Sequence, residues 1–238
     1  MQLFYNANLS ESSASIIFNK DESRHIFKVL RYKTGDTLYV TNGRGLLVKA
    51  MLKVVDPKKA IAEIISSEKV APLPYRLHLA VAPTKLNDRY EWFLEKATEI
   101  GVSEITPIIC DHSERKVIKA DRYERIIQSA MKQSLKAWLP ILNPAITLRE
   151  LLAVGHKEGI HCIAHCENSE KRSLQDVIVP HEPVTILIGP EGDFSTNEIE
   201  QAMSQGYIGI HLGSSRLRTE TAALVACHSV AFINQILS

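Results

Sequence analysis

From Arg76 onward, the sequence alternates short apolar runs with longer segments whose apolar residues recur at helical spacing. The runs read RLHLAVAP, EITPIIC, IHCIAHC, VTILIG and IGIHLG. The helical segments are DRYEWFLEKATEIG, a stretch from Asp121 through Lys136, TLRELLAVG, a helix opened by a capping box of Ser195 and Glu198, and TETAALVACHSVAFINQIL. This alternation is typical of a mainly parallel sheet with helices on both faces. We therefore predict an α/β fold over residues 75–238.

The first 70 residues follow a different pattern, that of short strands separated by turn signals. The strand candidates are SIIF, TLYVT, LLVKAMLKVV and KAIAEII, and one helix candidate interrupts them with Asp21 as its N-cap. We predict a small β-barrel or meander over residues 1–70. The proline-containing stretch Val70–Tyr75 is expected to link it to the domain over residues 75–238.

Charge is distributed unevenly between the two parts, although the formal net charge of the chain is only +1. Residues 1–74 contain 11 Lys and Arg against 7 Asp and Glu, whereas residues 75–238 contain 17 against 20. A basic module beside a mildly acidic domain fits a polyanion-binding appendage. Chance variation among solvated charges is the alternative explanation.

Cysteine usage and apolar run length indicate a soluble protein of the cytoplasm. The four cysteines have no regular spacing, which argues against a disulfide scaffold and for a reducing compartment. No secretory signal begins the sequence, and no apolar run approaches the ~18 residues that span a bilayer. The run IHCIAHC offers zinc-ligand residue types, but strand alternation places His161 and His165 on one face and both cysteines on the other. No metal is therefore expected.

Two glycine-containing loops follow strand-like runs and precede helices: GPEGDFS and LGSSRLR. GPEGDFS lacks the spacing and the Lys of a Walker A phosphate loop, and it lacks the dinucleotide fingerprint G-x-G-x-x-G. Open α/β sheets bind ligands at the carboxyl ends of their strands, where these loops are predicted to lie. The two loops therefore predict a cleft for a ligand without phosphates.

IGPEGDFS followed by LGSSRLRTETAA resembles the paired signature of the ribosomal RNA small-subunit methyltransferase E family, in the SPOUT superfamily. The resemblance covers nearly the whole chain, through HIFKVLR with Gly35 and Asp36, KLNDRYEWFLEKATEIGV and QSLKAWLP. Two positions depart from the family pattern. Asp193 stands where the family often has Gly, and Asp tolerates a left-handed backbone. Lys136 stands where the family often has Arg. Lysine keeps the positive charge but cannot bind a phosphate through two parallel hydrogen bonds as arginine does.

The resemblance implies a trefoil-knot methyltransferase domain with a mainly parallel sheet, preceded by a small PUA-like RNA-binding β-barrel. It implies S-adenosyl-L-methionine as cofactor and methylation of N3 of one uridine in 16S rRNA, free or in the small ribosomal subunit. It also implies a homodimer, and the long apolar last helix is expected to pack one side on the sheet and another on a partner subunit. No membrane partner is expected.

Three other functions are considered as alternatives to methylation of 16S rRNA. One is a SPOUT enzyme acting on another RNA, and a second is a noncatalytic RNA-binding assembly factor with the same fold. A nucleotide-hydrolysing enzyme is disfavoured because no Lys or magnesium ligand accompanies the glycines.

A sulfonium methyl donor carries its own driving force, so such a protein chiefly holds donor and acceptor in line. Backbone groups of irregular loops can hold the adenine and the methionine tail. On the resemblance we assign this contact to eight residues: Ile188, Gly189, Gly192, Leu212, Gly213, Leu217, Thr221 and Ala222.

Uridine N3 carries a weakly acidic proton that must leave before or during transfer. We expect Arg218 to stabilise the developing anion, and Glu220 to accept the proton or to orient Arg218. An ordinary charge pair at a helix start is the alternative for these two residues. RNA contact is predicted for six basic residues, which are Arg24, His25, Arg31, Lys85, Arg89 and Arg115.

Overall fold

The computed structural model of the chain describes residues 2–155 and 158–236. The chain forms two compact units, the first of residues 1–72 with 131–139 and the second of residues 73–130 with 140–238. The segment 131–139 thus lies with the first unit, although its sequence pattern places it in the predicted domain 75–238. The cause is backbone hydrogen bonding: the Ala137 carbonyl accepts from the Thr41 hydroxyl and the Gly45 N–H, and the Leu139 N–H donates to the Gly43 carbonyl.

The sheet of the first unit has five strands: β1 (Leu3–Tyr5), β2 (Ser15–Ile17), β3 (Thr37–Thr41), β4 (Leu46–Val54) and β5 (Ile61–Lys69). Their spatial order is β1-β3-β4-β5-β2. Strands β3 to β5 form an antiparallel meander, which β1 joins in parallel and β2 antiparallel. Alternate residues of β4 from Leu46 to Leu52 are buried, because successive side chains of a strand point to opposite faces. The sheet curls into a half-barrel, which confirms the predicted small β domain.

One short helix, α1 (Lys20–Arg24), and the π-helical turn His25–Val29 lie between β2 and β3. The prediction of Asp21 as N-cap is wrong by two residues. Asn19 caps the helix, because its side-chain oxygen accepts the Glu22 N–H at 2.9 Å. Asp21 instead lies in the first turn, where a negative charge is favourable at the positive end of the helix dipole.

The sheet of the second unit confirms the prediction of a mainly parallel α/β domain. Its strands are β6 (Leu77–Val81), β7 (Glu104–Ile109), β8 (Ile141–Leu142), β9 (Ile146–Thr147), β10 (Ile160–Ala164), β11 (Arg172–Ser173), β12 (Val184–Ile188) and β13 (Ile208–His211). The order is β11-β13-β10-β12-β6-β7-β8, with β9 also on β7, and every pair is parallel. The two-residue strands are absent from the sequence prediction because two residues show no alternation.

The other helices among the described residues are α2 (Asn87–Ile100), α3 (Ala120–Gln133), α4 (Leu148–Ala153), α5 (Leu174–Val177), α6 (Thr196–Ser204) and α7 (Thr219–Ile236). Helix α7 packs on α2, β6 and β12, whereas α4 and α6 share a core with Ile163 and Leu187. In β12 the successive residues Ile186, Leu187 and Ile188 are all buried. Since successive residues point to opposite faces, both faces of the central strands are covered.

The helix ends explain why these segments begin and end where the sequence indicates. The predicted capping box is present at α6, where the Ser195 side chain accepts the Glu198 N–H and the Glu198 side chain accepts the Ser195 N–H. Gly101 ends α2 with φ of 137°, a left-handed conformation that favours glycine. Leu237, in the predicted last helix, lies outside the described residues. Among the described helices, none is long and apolar enough to cross a membrane.

Candidate cofactor-binding site

Three neighbouring strands of the second unit, β13, β10 and β12, end at the same edge of the sheet because they are parallel. The loops that follow them therefore meet there. We call residues 189–195, after β12, the glycine loop, and residues 212–218, after β13, the arginine loop. The third segment is residues 165–171, after β10.

A cavity of about 380 Å³ lies among these loops. Its lining comprises Ala164, His165, Cys166, Lys171, Asp193, Ile210, His211, Leu212, Gly213, Ser214, Ser215, Arg216, Leu217 and Ala222. The volume is within the range of about 300–1,000 Å³ that small-molecule sites occupy. The arginine loop contributes six of these residues, the largest share from any one loop.

The structure brings four of the eight predicted cofactor residues to this cavity: Leu212, Gly213, Leu217 and Ala222. Ile188 and Gly189 are buried at the end of β12, where the Gly189 carbonyl accepts the Thr219 hydroxyl at 3.0 Å. Gly192 is exposed and packs on His112, since a Cβ there would lie 3.0 Å from the His112 Cβ. Thr221 lies in the first turn of α7 and is half-buried.

The glycine loop is held by hydrogen bonds to its neighbours. Asp193 has φ of 64°, and its N–H closes a turn on the Pro190 carbonyl at 3.0 Å. Its carboxylate accepts the Cys166 N–H at 2.7 Å and the Phe194 N–H at 2.9 Å. The departure from glycine at this position therefore adds two contacts while keeping the left-handed backbone.

The sequence prediction missed the loop after β7, which supports the glycine loop from the other side. His112 Nδ1 lies 3.1 Å from the Gly192 carbonyl and 3.0 Å from the Asp193 carbonyl. The Asp111 carboxylate accepts the Ser195 hydroxyl at 2.6 Å, and the Asp111 N–H donates to Glu198 Oε1 at 2.9 Å. One signal was available, because Asp111 and His112 directly follow the strand run EITPIIC, at the ligand-binding edge of the sheet.

Glu220 and Arg89 form an ion pair. The sequence analysis predicts different roles for them, catalysis for Glu220 and RNA binding for Arg89. The Arg89 Nε lies 3.8 Å from Glu220 Oε1. The Glu220 side chain is 9% exposed, and its Oε2 is buried without a hydrogen-bond partner in the described structure. Arg218 is exposed on the arginine loop, and its carbonyl accepts the Ala222 N–H at 2.7 Å. The structure thus pairs Glu220 with Arg89 rather than with Arg218.

Two more predicted RNA-binding residues meet at the carboxyl end of β6. The Arg115 guanidinium donates to the carbonyls of Thr84 and Lys85 at 3.1 and 2.9 Å. The Lys85 Nζ lies 2.8 Å from the Glu114 carboxylate, whose hydrogen bond raises the pKa of Lys85. The Lys85 N–H donates to Glu191 of the glycine loop at 2.9 Å.

The other three predicted RNA-binding residues belong to the first unit. Arg24 is exposed at the end of α1, and Arg31 is exposed with φ of 54°. His25 is half-buried, and its ring meets the edge of Phe4 at a centroid distance of 6.3 Å.

Burial shifts the titration of several groups near the cavity. It lowers the pKa of His165, and Lys171 adds to this effect. It raises the pKa of the Cys162 thiol to about 12, so this thiol is not a reactive nucleophile at neutral pH.

In the described part of the chain, no group of three or more His, Cys, Asp and Glu is placed to hold a metal ion. His161 lies against Tyr207 at a ring-centroid distance of 5.4 Å.

The lining residues favour a ligand that backbone groups and small side chains can hold. The Lys171 amino group donates to the carbonyls of His165 and Glu167 at 3.1 and 2.7 Å. It therefore ties residues 165–171 together rather than offering a cation for phosphates. Asp193, from the glycine loop, also lines the cavity and contributes a carboxylate.

Comparison with known proteins relates this arrangement to a family. The RNA methyltransferase domain family matches residues 71–231, and the RNA methyltransferase PUA domain family matches residues 18–65. The ribosomal RNA small subunit methyltransferase E of Buchnera aphidicola subsp. Acyrthosiphon pisum is 31% identical, over 88% of this chain and 85% of the relative.

Solved structures agree with this relationship. A probable rRNA-methyltransferase from Porphyromonas gingivalis has a TM-score of 0.93 and 40% identity, and the match covers 100% of both chains. The ribosomal RNA small subunit methyltransferase E of Neisseria gonorrhoeae, solved with S-adenosyl methionine, has a TM-score of 0.87 and 28% identity over 98% of both chains. The predicted PUA-like domain and SPOUT-type fold are thereby confirmed. This chain, with its PUA and RNA methyltransferase domains, belongs to the ribosomal RNA small subunit methyltransferase E family.

Proposed function

We propose that this chain methylates N3 of one uridine in 16S rRNA, with S-adenosyl-L-methionine as the methyl donor. The observation that carries the proposal is the cavity at the carboxyl ends of β10, β12 and β13, walled by glycine-containing loops. A relative of the same fold was solved with S-adenosyl methionine, which supports the choice of donor. A role in rRNA processing and ribosome biogenesis in the cytoplasm follows from this substrate.

All eight predicted cofactor residues keep a role in this proposal. Leu212, Gly213, Leu217 and Ala222 contact the cofactor as cavity walls. Ile188, Gly189, Gly192 and Thr221 position those walls, through the burial of β12 and the contacts of the glycine loop. The cofactor supplies an activated methyl group on a sulfonium, so the residues chiefly align donor and acceptor.

Arg218 and Glu220 are the proposed catalytic residues. Arg218 is exposed on the loop that borders the cavity, where its guanidinium can bind the carbonyl oxygens of a uridine anion. Glu220 either accepts the N3 proton or orients Arg89, the cation 3.8 Å from it. The buried Glu220 Oε2, which has no hydrogen-bond partner in the described structure, supports a role toward a bound group.

Single-turnover methylation of small-subunit RNA tests these roles. We expect Arg218→Ala and Glu220→Ala to slow the transfer at least about 100-fold. Arg122→Ala is the control, because Arg122 is another exposed arginine and does not line the cavity. Wild-type rates for both Arg218→Ala and Glu220→Ala would contradict the assignment.

RNA contact is proposed for the domain over residues 1–70 and for the basic residues beside the cavity. Arg24, His25 and Arg31 belong to the first group, and Lys85, Arg89 and Arg115 to the second. Phosphate contacts by Lys and Arg give an affinity that falls with salt, so each neutralising substitution is expected to reduce the salt dependence of binding.

The trefoil knot and the homodimer also remain proposals. The chain leaves β13 at His211, then places the Thr219 hydroxyl on the buried Gly189 carbonyl, a course that supports threading past the glycine loop. Phe232 of α7 is 52% exposed and stacks on His228, which supports a partner subunit on this face. Sedimentation of Phe232→Asp is expected to give a monomer where the unaltered chain gives a dimer.

Mass mapping of modified nucleosides in rRNA from cells with and without the gene tests the proposed reaction. We expect one N3-methyluridine to disappear from 16S rRNA. A change confined to another RNA would identify a different substrate. An unchanged profile, with RNA binding but no S-adenosylmethionine binding by calorimetry, would identify a noncatalytic assembly factor.

A further inference from the structure

A second cavity, of about 650 Å³, lies entirely within the first unit, at the end of its sheet. Its walls come from the loop after β1, the turn between β3 and β4, the end of β5 and the segment 131–139. We call it the tryptophan groove, after Trp138, and its argued residues are Arg44, Gly45, Lys69 and Glu11. None of them is among the predicted RNA-binding residues.

Trp138 is held in a fixed orientation although 40% of it is exposed. Its indole Nε1–H donates to the Val70 carbonyl at 2.9 Å. One part of the ring packs on Gly45, because a Cβ there would lie 2.6 Å from the Trp138 Cζ2. Gly45 has φ of 87°, so both its conformation and this close approach favour glycine. The result is a rigid aromatic surface that remains open to the groove.

Two cationic side chains, Arg44 and Lys69, line the same groove as this ring. Arg44 is exposed and pairs through its backbone with Trp138, and its guanidinium Nη2 donates to the Ala7 carbonyl at 3.0 Å. Lys69 is exposed and lies 2.7 Å from the Glu11 carboxylate, an arrangement that salt and a competing phosphate can both weaken. The first unit as a whole has 13 Lys and Arg against 7 Asp and Glu, whereas the second has 15 against 20. The segment 131–139 adds two of those lysines to the first unit.

We infer that the tryptophan groove binds one or more nucleotides of single-stranded RNA. An unpaired base stacks on the Trp138 indole, and the neighbouring phosphates lie against Arg44 and Lys69. Rigid aromatic rings beside cations are the features by which proteins bind single strands, since every base has a π-face. This inference rests on the proposed RNA substrate and adds a place where a flanking nucleotide is held.

The chain contains two tryptophans, which makes a specific optical test available. In a Trp92→Phe background, Trp138 is the only indole reporter. We expect a single-stranded RNA hexamer of uridine or adenosine to quench Trp138 emission on binding, because a base stacks on the ring. A blunt RNA duplex of equal length keeps its bases stacked internally, so it is expected to bind without comparable quenching.

Substitutions separate stacking from charge. We expect Trp138→Leu to weaken hexamer binding roughly 5- to 100-fold, and Trp138→Phe to weaken it less, because the phenyl ring still stacks. Lys69→Gln should reduce the slope of log affinity against log salt by about 0.7, the value for one phosphate contact on a single strand. Lys53→Gln is the matched control, since Lys53 is another exposed lysine of this unit, paired with Glu63 at the same distance of 2.7 Å.

Melting temperature and S-adenosylmethionine calorimetry accompany every variant. We expect cofactor affinity to be unchanged, so loss of the groove is distinguishable from failure of the proposed methyl transfer. Unaltered Trp138 emission at saturating hexamer, equal quenching by duplex, or equal effects of Lys69→Gln and Lys53→Gln would overturn the inference. If Trp138→Leu lowers the melting temperature, Trp138→Phe and Lys69→Gln still decide the question.

Discussion

The two loops that contribute to the cofactor cavity differ in how firmly the rest of the protein holds them. Hydrogen bonds fix the glycine loop to two neighbouring segments. Asp193 accepts the Cys166 N–H after β10, and the loop after β7 contacts the Gly192 carbonyl through His112 and the Ser195 hydroxyl through Asp111. In the arginine loop, residues 213–216 are all exposed, and the Gly213 N–H makes a long contact of 3.4 Å with His211 Nδ1. One wall of the site is therefore preorganised, and the other is free to adjust to a ligand.

This difference indicates a division of roles within one site. A wall that is already ordered loses little conformational entropy on binding, which favours affinity. A wall that is ordered by the ligand can also respond to the second substrate, because its conformation depends on what fills the cavity. The arginine loop carries Arg218, so cofactor binding and placement of this residue are expected to be coupled.

Asp193 should give the largest effect, because it fixes the preorganised wall. Asp193→Ala removes two backbone hydrogen bonds and places alanine at φ of 64°, so we expect a loss of about 2–4 kcal/mol in the free energy of unfolding. Cofactor affinity should fall as well. Chemical denaturation and calorimetry measure the two effects.

Two further variants test whether the backbone conformation and hydrogen bonds of Asp193 cause this loss of stability. Asp193→Asn should lose less, because asparagine tolerates this backbone conformation and keeps one carbonyl oxygen. Ser214→Ala in the arginine loop is the matched control and should change stability by less than about 0.5 kcal/mol. Equal effects of Asp193→Ala and Ser214→Ala would show that the two loops do not differ as described.

Ser195 should give the next largest effect, since it ends the glycine loop and begins α6. Its hydroxyl donates to Asp111 and accepts the Glu198 N–H, so Ser195→Ala removes an N-cap and a link to the loop after β7. We expect a loss of about 1–2 kcal/mol by denaturation. The neighbouring Thr196→Ala changes an exposed hydroxyl and should be nearly neutral, and a loss of similar size there would argue against the cap.

The features that the sequence predicts correctly are those that depend on residues close together in the chain. The capping box of Ser195 and Glu198 and the stop at Gly101 depend on local geometry, and the main strands of the second unit follow short apolar runs. The short strands and the N-cap at Asn19 were missed, because such short segments carry little pattern and both Asn and Asp are residue types that cap helices.

Contacts between distant residues were not predictable in the same way. Pairing of Glu220 with Arg89, and support of the glycine loop by His112, depend on the strand order, which periodicity does not determine. Several hydrogen bonds between the segment 131–139 and the first unit use the segment's own backbone carbonyl and N–H groups, which leave no signature in its side-chain composition. The family resemblance predicted which loops form the cavity, but it did not predict these contacts between distant residues.

His165, which lines the cavity, makes the free energy of unfolding depend on pH. Burial lowers the pKa of His165 below its ordinary value near 6.5, and its Nδ1 is buried without a hydrogen-bond partner in the described structure. The unfolded chain therefore takes up this proton at a higher pH than the folded chain. Stability from this group is fully present above about pH 6.5 and is lost as pH falls through the folded pKa.

We expect His165→Asn to flatten the stability profile below about pH 6.5, where one proton contributes a slope of at most about 1.4 kcal/mol per pH unit. Denaturation at several pH values measures this slope. An unaltered slope in His165→Asn would assign the pH dependence to other groups.

Gly213 should give the smallest effect on stability, and it tests whether the arginine loop adjusts to its ligand. Its φ of 122° is unfavourable for alanine, yet a Cβ there would meet nothing within 4 Å, and the loop makes few bonds that resist a change. Gly213→Ala should therefore change the free energy of unfolding by less than about 0.5 kcal/mol, because the unliganded loop can relax. Binding removes that freedom, so the strain of about 1 kcal/mol should reappear as a roughly fivefold loss of cofactor affinity by calorimetry. A loss of stability as large as the loss of binding energy would mean that the arginine loop is already ordered, and the contrast between the two walls would not hold.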